Sequence, residues 1–181
     1  MALGSLTGDL DSLVLFGERV GELGSPKVIR GLYKELADEA LFQIQDGFAK
    51  ERDPYGRPWF PKKHNDGRRI LRGASGRLIK SFRRLYLGPD CAIVGSTARH
   101  ASFPQTGTGI HGPSGRRIYP KLGRALRFKG PGGKFMFAKS VEGSRQRMMV
   151  PLKGRPAPIW MLAMRRRAKT YLQRRVMSRA A

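Results

Sequence analysis

The stretch SPKVIRGLYKELADEALFQIQDGFA (Ser25–Ala49) is the most regular part of the chain, and the architecture can be read outward from it. Ser25 is a helix N-cap residue and Pro26 suits the first helical position, because its missing N–H would have had no partner there. Ile29, Leu32, Leu36, Ala40, Ile44 and Phe48 then recur at three- and four-residue spacing. That period puts them on one face of a helix, which must be buried against something.

Upstream, Leu6, Leu10, Leu13, Val20 and Leu23 alternate with acidic residues and predict a separate amphipathic helical arm over residues 1–24, weakened by Gly17 and Gly21. This segment lacks the basic start of a signal peptide, and an intracellular site of synthesis and use is expected. Downstream, residues 51–76 break into Pro, Gly, Asn, Asp and basic residues and predict a long irregular connection. Residues 79–87 and 91–96 favour strands, with Gly88, Pro89 and Asp90 as the hairpin turn between them. Their pairing buries Leu85, Leu87, Ile93 or Val94, depending on register.

A second loop, 97–119, precedes residues 124–129 and 134–140, which flank Gly130, Pro131, Gly132 and Gly133. Glycines supply the positive φ values of a tight reversal, so an extended β-hairpin is expected. Residues 145–150 offer one more strand. Met161, Met164, Ala168, Leu172 and Val176 then trace a last helix from Pro158 to about residue 179, amid many arginines. Helix, strands, helix in that order predict an α+β domain over residues 25–181. It has an antiparallel sheet, helices packed on one face, long loops, and a loop and hairpin insertion at about 107–144.

An apolar share of 40% and a charged share of 27% are ordinary for a globular protein, but the sign of the charge is not: 36 Lys and Arg face 13 Asp and Glu, a net +23. Residues 1–66 hold 9 basic and 11 acidic side chains, whereas residues 67–181 hold 27 and 2, the two being Asp90 and Glu142. Most of these cations therefore lack a partner in their own subunit, and an external polyanion or an acidic neighbour is the natural complement.

Catalytic chemistry finds few candidates. Cys91 is the only cysteine, which rules out an intrachain disulfide and a zinc site built on several thiolates; in a strand it reads as a buried structural thiol. His64, Asn65 and Asp66 invite comparison with a nuclease, yet the rest of a metal site would have to come from His100, His111 or the two late carboxylates. No phosphate-binding loop occurs; Gly130–Lys134 has the wrong spacing for one. No run of about 20 apolar residues is present, so no membrane span is expected. The expectation is a non-enzymatic protein without cofactor or metal.

Four blocks, each weak alone, are more specific in succession. Asp53, Gly56, Trp59 and Pro61 follow the first helix; Leu71, Gly76, Leu78 and Ser81 come next. Then come Val94, Gly95 and Ser96 with Ala101, Gln105, Thr106 and Gly107, and finally Val150, Pro151, Gly154, Arg155 and Pro156 before the last helix. This order and spacing, over about residues 28–179, resembles the phage virion-morphogenesis family, the tail-completion proteins of Mu-like and related phages. His100 stands where that family often has Tyr, its His–Gln pair is Pro104–Gln105 here, and Ala157, Pro158 and Ile159 replace its aromatic ending.

The resemblance implies a virion protein assembled in the host cytoplasm into a homo-oligomeric ring, hexameric by expectation. The ring completes or terminates the tail tube, contacts the tube protein and the head–tail connector or stopper, and passes genomic DNA through its channel. Candidate subunit contacts are Trp59, Phe60, Gln105, Arg155, Phe135 and Phe137. For Trp59, held rigidly between Pro58 and Pro61, the alternative is a place in its own core; for Arg155, a role at the helix start. Phe135 and Phe137 share one face of a strand and could also form a nucleic-acid stacking platform. Candidate channel residues are Arg116, Arg117, Lys121, Arg124, Lys129 and Lys134. The rival expectation is a monomeric basic RNA- or DNA-binding protein of the ribosomal-protein type.

Overall fold

A computed structural model of the chain describes residues 17–18, 20–62, 67–73, 75–130 and 134–177. Most of the expected N-terminal arm, His64, Asn65 and Asp66, and the reversal at 131–133 lie outside these residues. The first long helix, α1, spans Pro26–Lys50; the Ser25 side chain accepts a hydrogen bond from the Val28 N–H, as an N-cap should. It ends on Glu51, whose left-handed backbone (φ 52°) turns its N–H back to the Gly47 carbonyl. A four-residue helix, α2 (Arg77–Lys80), leads into β1 (Phe82–Leu87), which pairs antiparallel with β2 (Ala92–Ser96). After α3 (Ser102–Thr106) come the antiparallel strands β3 (Leu126–Lys129) and β4 (Phe135–Ala138), and the last helix, α4, spans Pro158–Met177. The expected α+β class is present, with its described strands in two two-stranded sheets rather than one.

α1 is the centre of the packing. The β1–β2 hairpin lies along one side of it and α4 along another. Ala40, Ile44 and Phe48 of α1 meet Trp59, Leu78, Met149, Ala157 and Trp160 in one buried cluster. Phe48 sets its ring edge-on to Trp59, with centroids 5.3 Å apart, and also to Phe82. Where α4 crosses α1, the Tyr171 hydroxyl donates to the Val28 carbonyl and Arg167 pairs with Glu35 at 2.7 Å. Gly31 permits this approach, since a methyl group there would overlap the Tyr171 ring.

The hairpin register takes one of the expected alternatives, and three other expectations are corrected. A bulge between Arg84 and Tyr86 shifts the β1–β2 register, leaving Leu85 and Ile93 half exposed, while Val94 packs against the core. The buried face of α4 runs through Trp160 and Met164, and Met161 points outward. Cys91 sits in the turn before β2 and is exposed, not a buried strand thiol. Residues 145–150 form no strand, because side chains from elsewhere take their backbone groups.

Candidate interaction surface

Side chains from the sequence blocks converge on the segment 148–155. Asp53, itself buried, accepts from the backbone N–H groups of Tyr55 and Arg57 and so closes the turn that presents Trp59. The Trp59 indole N–H donates to the Met148 carbonyl at 2.9 Å. The Tyr55 hydroxyl donates to the Arg155 carbonyl and accepts from the Leu152 N–H. The Gln105 side-chain carbonyl accepts from the N–H groups of Met149 and Val150, and its amide donates to the Val150 carbonyl. Elsewhere the Ser81 and Ser96 hydroxyls pair at 2.6 Å, joining the second block to the third.

Two candidate subunit contacts are thereby reassigned. Trp59 is only 6% exposed and has its polar atom satisfied, so it fills the core of its own subunit. Gln105 uses its amide to hold residues 149 and 150, and it too works inside the chain. Phe60, in contrast, is half exposed with the Arg145 guanidinium 4.8 Å over its ring. Arg155 keeps an exposed side chain. Arg147, which the sequence reading passed over, donates to the Phe60 and Pro61 carbonyls, and burial draws its pKa below the ordinary value. Phe60, Arg145 and Arg147 border an open groove of about 760 Å³ whose other wall includes Ile110 and Glu142.

The β3–β4 hairpin stands beyond this groove as an arm. Its base is a two-way bridge in which the N–H of each of Ile118 and Val141 donates to the other's carbonyl. Below the bridge, Ile110 and Thr108 donate to the carbonyls of Glu142 and Ser144. Gly109 (φ 65°) allows the approach, because a Cβ there would overlap the Glu142 carbonyl. Above the bridge, β3 and β4 pair with each other and touch other elements only marginally. Phe135 is 52% and Phe137 67% exposed, so both remain available for contact.

Charge separates the two regions. Asp46 pairs with Lys50 at 2.7 Å and Arg52 at 2.8 Å, Asp38 with Arg84 at 3.5 Å, and Glu35 with Arg167. These carboxylates of α1 are taken up within the subunit. Comparison with models of known families, with characterised proteins and with solved structures finds no match.

Of the channel candidates, Arg116, Lys121, Arg124 and Lys134 are exposed, and Arg117 hydrogen-bonds to the Ser140 hydroxyl. The Lys129 side chain lies outside the described part of the arm. Arg127, not among the candidates, lies with its guanidinium 4.3 Å over the Phe135 ring. The cross-strand register could have found it once the hairpin was placed. Among the described residues no three His, Cys, Asp or Glu side chains come together to hold a metal ion, and no helix is long and apolar enough to cross a membrane.

Proposed function

We propose that this chain is a structural virion protein of a tailed phage, a subunit of the ring that completes the tail tube and joins it to the head connector. The observation that carries the proposal is the succession of four sequence blocks on an α+β chain, three of which contribute to one hydrogen-bonded junction at residues 148–155. Residues that recur together for a shared structural reason are expected to meet in this way. The strongly basic sequence after Asp66 suits a ring whose channel passes DNA, since cations along the passage screen phosphate repulsion. The exposed Phe60 remains as an apolar contact for a neighbouring subunit or ring.

Light scattering of the purified protein at low and high salt, with and without a DNA duplex and tail-tube protein, tests this reading. A discrete oligomer near six chains, or a monomer that assembles only with tube protein, agrees with a ring. A monomer under all conditions that binds nucleic acid with a salt slope of several units would favour a cellular nucleic-acid-binding module instead.

A further inference from the structure

We infer that one face of the β3–β4 arm is a platform for a single nucleic-acid strand, on which Phe135 and Phe137 stack against unpaired bases while the arm's cations hold the phosphates. Register pairs Arg127 with Phe137 and Lys129 with Phe135, and the Arg127 guanidinium lies over the Phe135 ring. Arg127, Phe135 and Phe137 therefore share a face, with a guanidinium supplied from one strand and aromatic rings from the other. The two rings are two residues apart on β4, about 7 Å along the strand. Leu126, Phe128, Met136 and Ala138 form the opposite face. A ring half to two-thirds exposed beside a guanidinium is the arrangement that sequence-tolerant strand binders use.

The arm carries no counter-charge of its own. Between Asp90 and Glu142 the chain has no carboxylate, while Arg116, Arg117, Lys121, Arg124, Arg127, Lys129, Lys134 and Lys139 all lie on or beside the arm. The carboxylates between Glu35 and Asp53 of a second copy are poor complements. Glu35, Asp38 and Asp46 are in ion pairs, Glu51 and Asp53 accept backbone N–H groups, and Glu39 accepts from Gln43. A duplex would satisfy the cations but not the rings, because its bases are stacked inside. Unpaired bases on a phosphate chain satisfy both. The inference does not depend on the ring reading, which requires only that duplex DNA pass.

The test is fluorescence anisotropy with an oligothymidylate of about 30 nucleotides and a duplex of equal length, using the full chain. The wild type is expected to prefer the single strand. Phe135→Ser with Phe137→Ser should weaken that binding by about tenfold or more for each ring lost. Arg124→Ala, Arg127→Ala and Lys134→Ala together should lower the log–log salt slope by about 2. Arg165→Ala with Arg174→Ala and Arg175→Ala, on α4, should leave the preference for the single strand unchanged. Circular dichroism melts confirm that each variant folds, and light scattering on the same samples reports the oligomer.

Equal affinity for duplex and strand with no effect of the phenylalanines would overturn the platform. So would competition by polyglutamate as effective, charge for charge, as the oligothymidylate. A phenylalanine pair variant that loses its oligomer while keeping its strand affinity would make the arm a subunit contact and end the proposal. A wild type that stays monomeric even with tail-tube protein, and whose strand binding still depends on Phe135 and Phe137, would remove the ring reading and uphold the platform.

Discussion

Trp59 and Phe137 are both large aromatic residues in Pro- and Gly-rich surroundings, yet one is buried at the centre of the fold and the other is two-thirds exposed on the arm. Trp59 reaches a complete set of partners: the edge of Phe48, the Met148 carbonyl, and a turn fixed by Asp53. Phe137 sits on a ribbon of two strands, and two strands without a second layer bury neither face. The contrast teaches that the aromatics of this chain divide by whether a second layer of structure reaches them. The core is closed by its own side chains, whereas the aromatic rings of the arm stay exposed.

Substitutions on either side of this division have different expected costs. Trp59→Ala should have the largest, about 3–5 kcal/mol of folding stability, because it opens a cavity beside Phe48 and Trp160. Urea denaturation reads this directly, and a loss below about 1 kcal/mol would erase the proposed distinction. Gln105→Ala comes next, at roughly 1–3 kcal/mol, since the N–H groups of Met149 and Val150 lose their acceptor. Gln105→Glu, which keeps the acceptor, should recover part of it in the same assay.

A smaller effect depends on pH. Burial pushes the Asp46 carboxyl up, but hydrogen bonds and charge from Lys50 and Arg52 outweigh it and hold the group below its ordinary value of 3.8. A depressed carboxyl pKa stabilises the fold above the unfolded value, and this contribution is lost as pH falls through the lower folded value. Melting curves between neutral pH and about pH 3 should therefore converge for the wild type and Asp46→Asn as the acid limit is approached. The smallest effect belongs to the arm: Phe137→Ser should change stability by no more than about 0.5 kcal/mol, measured by the same urea titration.

Much of the scaffold could be read from the sequence, because local chemistry decides it. Ser25 and Pro26 mark the start of α1, Gly88–Asp90 mark the β1–β2 turn, and the glycines at 130–133 separate β3 from β4. What could not be read depends on contacts distant in the chain. Residues 145–150 have strand composition, but their backbone groups are claimed by Trp59, Gln105 and the Pro104 carbonyl, so no ladder forms. Trp160 is buried in one cluster with residues as distant in the chain as Ala40 and Trp59, which helical spacing alone does not reveal. Within the candidate site, Phe135 and Phe137 could be placed on one strand face, but whether that face is covered is a matter of tertiary packing. Arg127 emerged only from the pairing register.

Hydrogen exchange of the free protein, repeated with the oligothymidylate present, addresses the division between closed core and open arm directly. In the free protein the amides of Leu126–Lys129 and Phe135–Ala138 should exchange much faster than those of the Ala40–Phe48 part of α1, and on addition of the strand only the arm should gain protection. An arm already as protected as α1 in the free protein, or unchanged when the strand is bound, would contradict the account.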